Sequence, residues 1–68
     1  MKSQEQIGKN IKKARTVSRL TQLEVANKVG IHANFFARVE RGEETLSLET
    51  LEKIVKILKV KSSDILPF

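Results

Sequence analysis

Two short helical patterns separated by one glycine constrain the fold of this chain more than any other feature. The segment Leu20–Gly42 reads LTQLEVANKVGIHANFFARVERG. Thr21, followed three residues later by Glu24, is the capping-box pattern that begins a helix. Gly30 is the residue type that ends a helix by adopting positive φ, and a second helix fits before Gly42. The sequence therefore predicts two short helices joined by a tight turn.

Apolar residues elsewhere also recur at helical spacing, whereas no sustained alternation indicates strands. The predicted elements are a first helix from about Ser3, its N-cap, to Val17, a second from the Thr21 cap to Gly30, a third from about Ala33 to Arg41, a fourth starting after Ser47, and a short last turn from Ser62 to Leu66. We therefore expect an all-α fold, a compact five-helix domain covering residues 1–68, with a helix-turn-helix formed by helices 2 and 3.

Size and composition exclude several classes of protein. A chain of 68 residues without cysteine has room for one domain and has neither a disulfide framework nor a thiolate zinc site. We find no nucleophile–base pair, phosphate loop or metal cluster, so we expect no enzyme, no metal and no cofactor. No apolar run approaches the roughly 20 residues that span a bilayer, and no signal peptide is evident, which favours the cytoplasm.

The formal net charge is +5, and it is unevenly distributed. Residues 43–52 carry four acids and no base, whereas residues 1–20 and 53–61 are rich in lysine and arginine. A basic balance favours a polyanionic partner. Lysines that merely solubilise helix faces would produce a similar charge, so charge alone barely separates the two interpretations.

The outer face of the third helix carries residue types that read DNA bases. Asparagine can pair with adenine and arginine with guanine, while alanine can contact a thymine methyl group. The residues on this face are Ala33, Asn34, Ala37, Arg38 and Arg41. Ala26 is small where the second helix must lie close beneath the third. The same spacing also fits an ordinary helical hairpin with a solvated polar face.

Four segments of the chain resemble the Cro and lambda-repressor-type helix-turn-helix family of small bacterial and phage transcriptional regulators. They are IGKNIKKAR, LTQLEVANKVGI, FFARVERG and LSLETLEKIVKILKV, four motifs in register, and the resemblance extends from Ile7 to Phe68. The resemblance implies a five-helix fold and sequence-specific binding of double-stranded DNA, usually as a homodimer on a two-fold operator. It suggests no small-molecule effector.

The resemblance also implies roles for individual residues. The base-facing positions are His32, which caps the third helix, and Ala33, Asn34, Ala37 and Arg38. The positions near phosphates are Thr21, Gln22, Phe35 and Arg41. Glu43 and Glu44 depart from the family pattern, because acids there would repel DNA unless they meet lysines of a partner subunit. Leu23 and Leu46 also depart from it, and we expect both to be scattered exposed apolar residues.

Two further expectations concern packing and assembly. Arg15 and Glu40 fall on or beside inward stripes, where a lone charge is costly, so a partly buried salt bridge is expected, as in the family. Surplus apolar residues predict a weak homodimer through the C-terminal region, with the loop before the fourth helix as a further candidate. The dimer candidates are Ile57, Pro67 and Phe68, although such residues could instead complete the monomer core.

The sequence leaves the biological setting open. A repressor or activator is the main hypothesis, and a phage regulator, a restriction-modification controller and a DNA-binding antitoxin fit equally. The alternative is a protein-interaction module or antitoxin-type domain that keeps the fold with weak or no specific DNA reading. The acidic pair Glu43–Glu44 favours that alternative, whereas Asn34 with Arg38 argues against it.

Overall fold

The computed structural model describes residues 2–67 and confirms the predicted all-α fold. The helices are α1 (Lys2–Val17), α2 (Gln22–Val29), α3 (Ala33–Glu40), α4 (Leu48–Leu58) and α5 (Ser62–Ile65). One boundary was predicted wrongly: Ser3 lies inside the first turn of α1 rather than at its N-cap. Among residues 2–67, none of the helices has the length and apolar character needed to cross a membrane.

The capping box predicted at the start of α2 is confirmed. The Thr21 hydroxyl accepts a hydrogen bond from the Glu24 amide at 3.0 Å, and the Glu24 carboxylate accepts one from the Thr21 amide at 2.8 Å. The backbone hydrogen bond from Thr21 is the main reason why the pKa of Glu24 lies below its ordinary value. These bonds fix where α2 begins.

Left-handed residues end the four longer helices. Gly30 and Gly42 have φ of +89° and +80°, and Arg19 and Lys59 take the same conformation at +60° and +58°. After each of them the next amide donates to a carbonyl five residues earlier, which is the closing bond of the Schellman motif. The glycines were visible in the sequence, whereas Arg19 and Lys59 carried no signal. The connections are short because each helix is closed within one turn.

A single apolar core connects the helices. Its buried members are Ile11, Val25, Ala26, Val29, Phe36, Val39, Leu51, Ile54, Leu58 and Ile65. α3 packs against α1 on one side and α2 on the other, α4 supports α2, and α5 bridges α1 and α4. The fully buried Ala26 lets α2 lie close to α3, as the sequence suggested. The core therefore supports α3 from behind.

α1 approaches the end of α3 so closely that only glycine fits at one position. A Cβ atom on Gly8 would lie 2.4 Å from the Val39 carbonyl oxygen and 2.7 Å from that of Glu40. Nearby, the Gln4 side-chain amide donates to the Gly42 carbonyl at 2.9 Å. The sequence analysis missed this contact, which fixes the distance between α1 and the end of α3.

The salt bridge expected between Arg15 and Glu40 is present and partly buried. Arg15 Nε lies 2.6 Å from Glu40 Oε2 and Arg15 Nη2 lies 3.2 Å from Oε1. The exposed fractions of the two side chains are 14% and 2%. Arg15 Nη1 also donates to the Leu20 carbonyl, and Gln22 Nε2 donates to Glu40 Oε1 at 2.7 Å. The carboxylate thus joins α1, the start of α2 and the end of α3.

Replacing Gly8 by alanine tests the close approach of α1 to α3. At an exposed helical site this change would stabilise the protein by up to about 1 kcal/mol. At Gly8 the new methyl group must displace backbone, so we expect a loss of about 1–3 kcal/mol in the free energy of unfolding. Urea unfolding of the variant measures the difference, and a stabilised variant would contradict the contact.

Removing the Glu40 carboxylate tests the buried network. Glu40→Ala leaves Arg15 without its ionic partner, which typically costs about 3–5 kcal/mol. A domain of this size is stable by roughly 5 kcal/mol, so the variant should retain no more than about 2 kcal/mol and should melt far below the wild-type temperature. Thermal melting followed by circular dichroism checks this. Glu44→Ala, which removes a half-exposed acid, is the control and should melt near the wild-type temperature.

Candidate nucleic-acid interface

The turn between α2 and α3 is built from three residues with distinct tasks. Gly30 supplies the left-handed conformation, and the Ile31 amide donates to the Ala26 carbonyl at 3.0 Å. The Ile31 side chain packs against the core. His32 then starts α3 in an extended conformation without a side-chain capping bond. Its imidazole is exposed beside the first turn of α3.

The outer face of α3 presents two polar side chains one above the other. Asn34 and Arg38 are both exposed and lie one helical turn apart. They border an open groove together with His32, Phe35 and the turn residues before α3. Phe36, Val39 and Glu40 occupy the opposite, buried face. The helix therefore has one face fixed in the core and one face free for a partner.

Two other base-facing candidates, Ala33 and Ala37, and the phosphate candidate Phe35 are less accessible than the sequence suggested. Ala33 is partly buried and packs against the core, as does the aromatic ring of Phe35. Ala37 is half-buried between the levels of Asn34 and Arg38. Their small or recessed side chains leave Asn34 and Arg38 as the most prominent groups of the first two turns.

Three of the phosphate candidates already have partners within the chain: Arg41, described below, and Thr21 and Gln22 at the start of α2. The Thr21 hydroxyl caps α2, and the Gln22 amide donates to the buried carboxylate of Glu40. Gln22 retains a second amide hydrogen, so it can bind an anion while it holds Glu40. Sequence reasoning missed this structural role because the spacing that links Gln22 to Glu40 is not local.

The acids after α3 pair with Arg38 of α3 and with Arg41, which directly follows the helix. Arg41 Nε lies 2.9 Å from Glu43 Oε2, and Arg38 Nε lies 3.7 Å from Glu44 Oε2. The hydrogen bond with Arg41 lowers the pKa of Glu43 and raises the pKa of Arg41. The sequence left open whether these acids face DNA or lysines of a partner subunit. In the structure they contact arginines of the same chain instead.

A second, apolar groove lies away from α3's outer face. Ile7, Leu46, Leu48, Leu51 and Leu66 contribute to its lining. Leu48 is 81% exposed, whereas Leu46 packs partly against the core, so the expectation that Leu46 is merely exposed was wrong. Leu23, at 58% exposure, is an exposed apolar residue as expected.

The sequence-based dimer candidates fall in different places. Pro67 is exposed and follows Leu66 of the apolar groove. Ile57 is half-buried against the core and borders another surface, among Leu20, Lys28 and Lys56. Phe68 lies outside the described residues. The structure therefore does not bring the three candidates together.

Two helices joined by a left-handed glycine turn, the second with a free polar face, define the helix-turn-helix class. A helix-turn-helix family model of the Cro/C1 type matches residues 11–65. The chain belongs to this helix-turn-helix family, which confirms the resemblance drawn from its motifs.

Two curated proteins are similar in sequence. Antitoxin PezA of Streptococcus pneumoniae serotype 4 is 44% identical over 59 residues, which cover 87% of this chain and 37% of the antitoxin. Control protein C.BamHI of Bacillus amyloliquefaciens is 35% identical over 51 residues, covering 75% of this chain and 63% of the control protein. The chain thus spans less than two thirds of the length of either relative.

Two solved structures share the fold. The restriction-modification controller protein C.AhdI from Aeromonas hydrophila superposes with a TM-score of 0.89 at 23% identity, covering 96% of this chain and 98% of that one. The clp gene regulator ClgR from Corynebacterium glutamicum gives 0.88 at 22% identity, covering 91% of this chain and 66% of that one. At these identities the likeness concerns the fold.

Proposed function

We propose that this chain regulates transcription by binding operator DNA with α3 in the major groove. The observation that carries the proposal is the pair of exposed side chains, Asn34 and Arg38, on a helix whose other face is locked in the core. A rigid helix with a polar outer face can enter the groove without losing core contacts.

Within this proposal Asn34 and Arg38 read base edges. Asn34 lies in the first turn of α3, the part of a recognition helix that reaches base edges. Arg38 lies one turn further along, and its guanidinium can donate to a guanine. The single long contact between Arg38 and Glu44 is weak enough to yield to a base. His32, Ala33 and Ala37 line the same approach and limit its depth.

Backbone contacts would come from the start of α2 and from the end of α3. The N-terminus of a helix favours anions because its first backbone N–H groups are free. Gln22 is the first residue of α2, and one hydrogen of its side-chain amide is still available. Thr21 precedes it, and Phe35 and Arg41 flank the other side of the reading face. These groups would position α3 in the groove without distinguishing one base sequence from another.

We propose that the chain binds its operator as a homodimer through the apolar groove. Leu46 and Leu48 come from the loop and start of α4, and Leu66 comes from the C-terminal region. These are the two regions that the sequence suggested. A dimer formed there would place two α3 helices on successive turns of a two-fold operator, about 34 Å apart. Pro67 adjoins this groove, whereas Ile57 lies outside it.

A second candidate function is an antitoxin-type domain whose main partner is a protein. The similarity to antitoxin PezA supports it, because that match covers most of this chain. Acidic residues beside the reading face also favour weaker DNA binding than that of a simple repressor. Both candidates place the chain in the cytoplasm, where DNA is accessible.

Alanine substitutions on α3 test the assignment of base contacts. We expect Asn34→Ala and Arg38→Ala each to lose about 1–3 kcal/mol of binding on a DNA site selected from a random pool. The loss should be smaller on sites that carry a substituted base at the contacted position. Asn27→Ala, at an exposed asparagine on α2, is the matched control and should bind normally.

The measurement is fluorescence anisotropy on the selected site and on all its single-base variants. If Asn34→Ala retains the full wild-type preference among these sites, α3 does not read bases and the antitoxin-type function gains support. A uniform loss for Arg38→Ala would instead make Arg38 a phosphate contact.

A lysine in the apolar groove tests the dimer. Burying a leucine is worth about 1.5–3 kcal/mol, so Leu48→Lys should weaken self-association by at least about tenfold. Leu23→Lys is the matched control, because Leu23 is also an exposed leucine but lies outside the groove. Sedimentation equilibrium measures both variants. Equal dimerisation of Leu48→Lys and wild type would rule out this interface.

A further inference from the structure

The guanidinium of Arg41 is held by two hydrogen bonds to one carboxylate. Arg41 Nε donates to Glu43 Oε2 at 2.9 Å, and Nη2 donates to Oε1 at 3.3 Å. This fork-to-fork arrangement is also the geometry in which arginine binds a phosphate group. The carboxylate of Glu43 therefore occupies the donors that a DNA phosphate would use.

The backbone turn after α3 holds the two side chains opposite each other. The Gly42 amide donates to the Val39 carbonyl at 3.0 Å, and the Glu43 amide donates to the Arg38 carbonyl at 2.9 Å. Because Arg41 and Glu43 flank this closed turn, little backbone freedom remains to be lost when they pair. An exposed pair fixed in this way retains more of its attraction than one between two mobile side chains.

The neighbouring pair is different in kind. Arg38 meets Glu44 through one contact of 3.7 Å, which is too long for a good hydrogen bond. Of the two exposed arginines on α3 and its end, one is thus firmly paired and the other is loosely paired. Arg38, the candidate for reading bases, is the arginine that remains available.

We propose that Glu43 is an affinity-setting residue, an internal substitute for the DNA phosphate at Arg41. The inference rests on the proposed function, since it concerns how α3 binds DNA. In the free chain Arg41 carries its counter-charge with it, so binding to DNA either exchanges the carboxylate for a phosphate or leaves Arg41 paired. In both cases the favourable free energy of contact with DNA phosphates is smaller than the number of arginines suggests.

The expected size of the effect follows from the exposure of the pair. Arg41 is 57% exposed and Glu43 is 53% exposed, so the pair is a solvent-screened one. Removing the charge of Glu43 should tighten binding to any DNA about 2- to 5-fold at low salt. If wild-type Arg41 stays paired with Glu43 on DNA, the change should also steepen the dependence of log K on log salt by about 0.9, which corresponds to one more neutralised phosphate. If the phosphate displaces Glu43 in wild type, the salt dependence should stay near the wild-type value.

A double-mutant cycle tests the proposal. Four proteins, wild type, E43Q, R41Q and R41Q/E43Q, are titrated with the selected site and with a scrambled duplex at about 50 to 200 mM salt. E52Q is the matched control, because Glu52 is an exposed acid on α4 that forms no ion pair within the described part of the chain. It produces the same change in net charge away from Arg41.

We expect E43Q to tighten binding to the scrambled duplex about 2- to 5-fold, and R41Q/E43Q to differ from R41Q by no more than E52Q differs from wild type. Equal effects of E43Q with and without Arg41 would overturn the proposal, because Glu43 would then act by simple repulsion of DNA. An effect of E43Q no larger than that of E52Q would also overturn it.

Failure of the proposed DNA reading and failure of the proposed role of Glu43 give different results. If wild type binds the scrambled duplex as tightly as any selected site, the proposed reading function fails, yet the coupling between Arg41 and Glu43 is still measured on that duplex. If wild type selects its site but the coupling is absent, only the role of Glu43 fails. If no member of the cycle binds DNA, both are overturned.

Discussion

The buried carboxylate of Glu40 is the constraint on which the arrangement of the other helices depends. A carboxylate that is 2% exposed is costly to bury unless donors surround it. Arg15 of α1 and Gln22 of α2 supply those donors, and among the described side chains no buried nitrogen or oxygen lacks a partner. Because the donors come from two other helices, the end of α3 must lie where both of them can reach the Glu40 carboxylate.

That constraint, together with the apolar core, holds α3 in a fixed position with one face exposed. The start of α3 is set by the Gly30 turn and its end by Glu40, while the bare backbone of Gly8 lets α1 approach from behind. Phe36 fills the centre of the core beneath the helix. With both ends and one face fixed, the direction of Asn34 and Arg38 is set by the fold rather than by their own flexibility. Preorganised side chains lose little freedom when they meet a partner.

Features that depend on nearby residues could be predicted from the sequence, whereas features that depend on distant contacts could not. The Thr21 capping box and the Gly30 turn are local, and both were predicted. The pairing of Arg15 with Glu40 could be predicted only because both charged residues fall on or beside the inward-facing apolar positions of their helices. Gly8 carried no such signal, because its necessity arises from carbonyls of α3 that lie over thirty positions away. The left-handed conformation of Lys59 was also hidden, since the core fixes where α4 must end.

The charged groups around α3 divide into two sets according to burial, and the division separates folding from binding. Glu40 is buried, so removing its carboxylate strands the charge of Arg15 and threatens the fold. Glu43 is half exposed, so its pair with Arg41 is screened by solvent and does not bear on the core. A change at Glu43 can therefore alter the charge that α3 offers to DNA while Asn34 and Arg38 keep their positions. The turn at Gly42 takes part in both folding and binding. Its carbonyl accepts a hydrogen bond from Gln4 of α1, and its backbone holds Glu43 close to Arg41.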